Sequence, residues 1–384
     1  MNKFNTNLKK FINAFILGSM IFCLSLVSFA STGGDRNYGD VYRYDEDEIK
    51  NTIGLYFDLR YESQKLLEPQ DFSFLVSDKP EAREWLKREQ DKQEIELYVA
   101  SIYRLNYLDY KYHLDYERIR IKGNRAEVTL NESHEVIFES CAPEVSKLFN
   151  LEHRLTMEKR GNSWELIRDD YDDELSPDMK NESKEEILET VRENFSTEWV
   201  QREESPVEQL SLDLALAPYS YNRNAASVYA AQYCGVGKYN PLYTLFGKDC
   251  TNFVSQAIYE GTSHTMSAAN TSHYWDWWYF TGNPRTGSAP WINVDYLYSF
   301  LVNNSGQGPY GYAVTSTCSL NVGDVVQLYN SQGWFHSVIV NAVSNCSDTN
   351  KIFICGHSSN RCNYPLSNYA SYKKRYIHIS GYRK

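Results

Sequence analysis

Twice along this chain a helical rhythm of apolar residues gives way to strict alternation, and that order constrains the fold more than any other feature. Ile49, Ile53, Leu55, Tyr56 and Leu59 recur at helical spacing between Asp45 and Leu59, and a second helical stretch opens at Pro80 and runs through Leu97 and Ile102. From Tyr110 the period becomes two. His113–Ile121 and Arg125–Leu130 alternate on either side of the turn Lys122-Gly123-Asn124. Glu135–Phe138, Glu152–Lys159 and Ser163–Asp169 read as further strands, with Gly161-Asn162 as a hairpin turn. Farther on, helices over 222–233 and 250–260 precede strands over 325–329, 335–343 and 351–357. Helices first and antiparallel strands after them predict an α+β layer structure.

A length of 384 residues exceeds what one core usually holds, so two domains are expected. The charge divides the same way. From Pro218 onward 11 Lys and Arg face 6 Asp and Glu, giving +5 and leaving −16 of the net −11 for the rest. Acidic runs Asp172-Asp173-Glu174, Glu185-Glu186 and Glu203-Glu204 mark the stretch between, in which Lys184–Phe195 reads as a solvated helix. The resulting division is a signal peptide over 1–30, a loose leader over 31–44, an α+β accessory domain over 45–171, an acidic linker over 172–217 and a C-terminal domain over 218–384. No basic cluster interleaved with aromatics is dense enough to suggest a nucleic-acid partner. The mildly basic C-terminal part suits peripheral association with an anionic cell envelope.

The signal reading rests on Lys3, Lys9 and Lys10 ahead of an apolar run from Phe11 to Phe29, closed by Ser28-Phe29-Ala30. Cleavage after Ala30 would release a secreted or cell-surface protein; a retained anchor is the other option, since the run approaches bilayer-spanning length. Seven cysteines remain after such cleavage, and an odd count in an exported protein leaves at least one thiol unpaired. The spacing of Cys355, His357 and Cys362 matches no standard zinc arrangement.

One thiol is placed for chemistry. Asp249-Cys250-Thr251-Asn252-Phe253-Val254-Ser255-Gln256 begins a helix with Asp249 in the capping position and Gly261 as the expected stop. Cys250, Phe253, Val254, Ala257 and Ile258 fall on one face, which predicts burial of that face with Cys250 in the first turn. Unpaired N–H groups and the positive end of the dipole at a helix start favour thiolate and can receive an oxyanion. The Asp249 charge works against this, so a base is needed. His336 opens the second strand of a hairpin built from Val325–Tyr329, a turn over Asn330–Gly333, and Phe335–Val343. If the next loop is centred near Ser347, His336 faces Ser358, which brings His357 and Asn360 within reach as orienting groups. His273, beside Trp275 and Trp277, is a rival base. His264, His357 and His378 sit at site edges, and Tyr243 is either an oxyanion donor or a packing tyrosine.

The octapeptide 249–256 resembles the signature of the amidase domain of bacterial surface proteins, a family of the papain-like superfamily alongside the CHAP amidases and peptidases. Tyr221-Asn222-Arg223, Tyr229-Ala230, Trp291–Val294 with Tyr298, Val322–Val325, His336–Val340, His357–Arg361 and Pro365-Leu366 are similar to further motifs of that family. The resemblance implies a cysteine nucleophile, Cys250, and a histidine base, His336, and leaves the third residue, His357 or Asn360, open. The helix-then-strand order of 45–171 resembles the cone-shaped nuclear-transport-factor-two-like fold.

Together these readings predict an exported thiol amidase or peptidase acting on a peptide-type amide, with cell-wall peptidoglycan as the substrate class. A thiol mechanism of this kind calls for no metal or cofactor. The alternatives are a non-catalytic wall-binding module and an acyltransferase using the same Cys–His pair.

Overall fold

The structure, a computed structural model, describes residues 38–172, 175, 178–203, 219–235, 239–267, 275–282 and 285–384. The expected signal segment and residues 31–37 of the leader lie outside them; from Tyr38 the chain is helical. Helices α1 (Tyr38–Leu66) and α2 (Pro80–Tyr103) lead into strands β1 (Tyr107–Lys122), β2 (Arg125–Phe138), β3 (Val145–Arg160) and β4 (Ser163–Tyr171). Helix α3 (Lys184–Glu203) follows, then β5 (Tyr219–Ser220), α4 (Arg223–Tyr233) and α5 (Cys250–Gly261). The short strands β6 (Tyr279–Phe280) and β7 (Thr286–Gly287) pair with each other and precede α6 (Ala289–Ile292) and α7 (Val294–Asn303). Strands β8 (Gly308–Val314), β9 (Val325–Asn330), β10 (Gly333–Val343), β11 (Ile352–Gly356), β12 (Arg361–Pro365) and β13 (Lys373–Arg383) complete the chain.

The fold is mixed α and β, built on one 11-stranded antiparallel sheet ordered β1-β2-β3-β12-β11-β10-β9-β13-β5, with β4 on β3 and β8 on β13. The N-terminal hairpins follow from local turns. Lys122 pairs with Arg125 across Gly123, whose φ of +61° is the left-handed conformation that glycine adopts without strain. The two halves of the sheet join where Arg361 and Cys362 pair with Leu148 and Lys147. Residues 46–384 form one compact unit.

Part of the stretch read as an acidic linker is a packed helix. In α3, Ile187 and Val191 are buried, and Asn194 donates to the carbonyls of Ala370 (2.7 Å) and Tyr372 (3.0 Å). Its acidic face masks two apolar anchors one turn apart, which a composition argument passes over. Residues 204–218 lie outside the described set. Among the described residues no helix is long and apolar enough to cross a membrane.

Helix α5 is buried almost all round rather than on one face. Phe253, Val254, Ala257 and Ile258 are fully buried, and so are Thr251 and Ser255. Burying each large apolar side chain stabilises by roughly 1.5–3 kcal/mol. The polar face is tolerated because its groups find partners. Ser255 Oγ donates to Trp291 O (2.8 Å) and accepts from Trp277 Nε1 (3.1 Å), while Tyr229 OH donates to Gln256 Oε1 (2.6 Å). Gly261 is the last residue of α5 for a packing reason, not a left-handed one. A Cβ there would lie 2.0 Å from Tyr221 Cε2.

Candidate active site

The start of α5 packs against β10, which brings Cys250 to His336. Both side chains are buried, at 5% and 4% exposure. Burial alone would push the Cys250 thiol up, but the charge and hydrogen bond of His336 outweigh it. A backbone N–H from Ser337 and the Thr251 hydroxyl add to the effect, so the thiol lies below its ordinary value. The other two free thiols behave oppositely. Burial raises Cys141, whose Sγ donates to Asn350 O (3.0 Å), and pushes Cys355 up to about 12. Cys234–Cys362 and Cys318–Cys346 are disulfides, so Cys362 is not available as a metal ligand.

Asp249 stands at the capping position without capping the helix through its side chain. Its Oδ1 accepts instead from Phe246 N (3.0 Å) and Asn252 Nδ2 (2.8 Å), and its Oδ2 meets His357 Nδ1 at 2.6 Å. The carboxylate therefore ties the preceding loop to the helix start and points its second oxygen toward an imidazole. The first-turn N–H groups of α5 are left for other acceptors.

The register expected between β10 and β11 is the one observed, with Ile339 opposite Cys355 and Val340 opposite Ile354. The orienting role expected of His357 and Asn360 does not follow from it. His357 Nε2 lies 2.7 Å from Tyr233 O, a pure acceptor, so that nitrogen carries a proton, while Nδ1 is engaged by Asp249. Both nitrogens are thus used away from His336, and the ring stacks on Phe253 at 4.0 Å. Asn360 accepts from Tyr239 OH (3.3 Å) and donates to Phe149 O (3.4 Å). The cause is local: Ser358 and Asn360 have φ of +78° and +47°, so the chain leaves the ladder just beyond Gly356.

The remaining candidates are placed elsewhere. His264 pairs with Glu260 (3.0 Å) on an exposed helix end, and His378 Nδ1 meets Asp324 Oδ2 (2.9 Å). Tyr243 packs on Tyr279 and Trp291, with ring centroids 4.9 and 6.1 Å away, and burial raises its phenol. His273 lies outside the described residues. The motifs 221–223 and 322–325 hold each other: Arg223 Nη1 donates to Asp324 Oδ1 (2.6 Å) and Tyr221 OH to Gly323 O (3.0 Å). Sequence reasoning missed Gln327 and Arg375. Arg375 Nε donates to Gln327 Oε1 (2.7 Å), and Gln327 Nε2 donates to Ser337 Oγ (3.1 Å). A glutamine inside an otherwise apolar strand was the signal that could have found the first of them.

Comparison with known proteins supports the amidase resemblance of the C-terminal part. Residues 220–380 match the family model described as "Putative amidase domain", which supports an amide-bond hydrolase. The chain is also similar to the uncharacterized protein YjcM of Bacillus subtilis (strain 168), at 28% identity over 227 residues. That similarity covers 54% of this chain and 50% of the relative, so the chain spans about half the length of the curated relative it matches. No solved structure matches the chain.

Proposed function

We propose that residues 218–384 are a papain-like cysteine amidase or peptidase with Cys250 as nucleophile and His336 as base, and that residues 45–171 are an accessory domain of cone-like shape. The observation that carries this reading is the contrast among the free thiols: Cys250 is lowered by His336, while Cys141 and Cys355 are raised.

The thiolate of Cys250 attacks the amide carbon, and its oxyanion turns toward the first-turn N–H groups of α5. The His336 imidazolium gives its proton to the leaving nitrogen as the C–N bond breaks, leaving a thioester on Cys250. His336 then takes a proton from water, whose oxygen attacks the thioester and releases the acid and the free thiolate. Asp249 and His357 position the helix start in this scheme and touch no reacting atom. The leader-like segment over 1–30 and the two disulfides support export to an oxidising compartment, and peptidoglycan stem peptides are the exported amide class we propose as substrate.

The test is mass analysis of purified cell-wall muropeptides incubated with wild type and Cys250→Ser, with and without added glycine ethyl ester. Wild type should release a new carboxyl end, and Cys250→Ser should release none. Conversion to the amine adduct as the main product would assign acyl transfer, and unchanged muropeptides would remove the wall amide as substrate.

A further inference from the structure

A cavity of roughly 190 Å³ lies among α1, α2 and strands β1–β4, closed by β12 and the segment after it. It holds a charge arrangement that the thiol chemistry does not use. Arg60 lines it, with its guanidinium held among the rings of Tyr56 (5.4 Å), Phe57 (5.4 Å) and Tyr171 (5.0 Å). Its Nη2 donates to Tyr171 OH (3.1 Å), but Nη1 is buried with no hydrogen-bond partner. Lys92 Nζ donates to the same phenol oxygen at 2.5 Å. Arg60 and Lys92 thus share one phenol oxygen, which donates a hydrogen bond to Glu89 Oε2 (3.0 Å), and the charges of Glu89 and Glu132 also act on the guanidinium.

A buried guanidinium N–H without an acceptor is costly, more so because the group is charged, and native proteins rarely leave one so. The fork of an arginine matches a carboxylate better than any other small anion of biological chemistry except phosphate. Glu96, also in the lining, offers an acceptor for an ammonium group, and it would oppose the multiple charges of a phosphate. The volume falls below that of a drug-sized pocket, which runs from about 300 Å³.

We propose that this cavity binds a small zwitterion, an α-amino acid or dipeptide, with its carboxylate on Arg60 and Lys92 and its ammonium toward Glu96. The site is separate from Cys250 and does not depend on its chemistry.

Isothermal titration of the full chain decides this, using L-alanine, L-tyrosine and L-alanyl-L-alanine, with L-alanyl-L-alaninamide as the carboxylate-free control. At least one zwitterion should bind saturably at one per chain. The amide should bind at least tenfold more weakly than the dipeptide acid. Arg60→Gln should lose tenfold or more, Arg60→Lys should fall between, and Cys250→Ala should bind like wild type. If Arg60→Gln does not fold, the acid-against-amide comparison on wild type still decides. No saturable binding by any of the three, equal affinity for acid and amide, unchanged affinity in a folded Arg60→Gln, or loss of binding in Cys250→Ala would each overturn the proposal.

Discussion

Thr251 Oγ1 and Ser337 Oγ lie 3.1 Å apart, and each belongs to the residue immediately after a member of the proposed catalytic pair. Arg375 fixes the Gln327 amide so that its nitrogen donates to Ser337, which leaves the Ser337 proton for Thr251 and the Thr251 proton for the sulfur 3.8 Å away. The relay thus ends as a donor toward the Cys250 sulfur and also clamps α5 against β10. Thr251→Val keeps the shape and removes that donor, so the pH midpoint of Cys250 alkylation should rise by up to about one unit. Ser337→Ala should act the same way. Unchanged midpoints in both would reduce the relay to packing.

The Asp249–His357 pair predicts a different outcome. His357→Ala leaves a buried carboxylate oxygen facing an apolar gap, which should lower stability by about 1–3 kcal/mol in urea unfolding. The thiol should stay reactive, because His336 is untouched. Loss of alkylation with unchanged stability would instead place His357 in the catalytic machinery.

A third prediction concerns pH and the buried cluster of the N-terminal half. Burial alone would lower His153, but Asp169 on Nδ1 (2.8 Å) and Glu132 on Nε2 (3.0 Å) outweigh it and raise it to about 9. A folded value above the unfolded value of about 6.5 contributes stability that is complete below pH 6.5 and lost as pH rises through 9. The contribution is about 3 kcal/mol at most, at 1.36 kcal/mol per unit. Urea midpoints of wild type should therefore fall between pH 6.5 and 9.5 more steeply than those of His153→Gln. Parallel curves would mean that His153 does not carry the charge.

How much of this was legible in the sequence depended on distance along the chain. Strands β1–β4 are joined by short turns, so alternation and Gly123 located the hairpins. The polar run Asn131–His134 nevertheless split β2 into two expected strands, and the Val145–Leu151 start of β3 was missed. The hairpin bearing His336 and its register with β11 were likewise local. The joint between β3 and β12 was not, because Leu148 and Arg361 meet across more than two hundred residues and no local pattern marks the pairing. Strand β13 was missed because Lys373-Lys374-Arg375 gives its start a solvated look, although Ile377 and Ile379 are fully buried. The partner of His357 was hidden for a related reason. Ladder register carried it toward His336, and the turn at Ser358 then swung it to Asp249.

Catalysis by the proposed pair requires Cys250 to be a thiolate held by His336. Iodoacetamide alkylation rates of Cys250, followed by mass spectrometry from pH 5 to 9.5 on wild type and His336→Ala, test it most directly. Wild type should react well below the ordinary thiol value of about 8.5, and His336→Ala should shift the profile back toward that value. A wild-type profile like that of a free thiol, or one that His336→Ala leaves unchanged, would contradict the account.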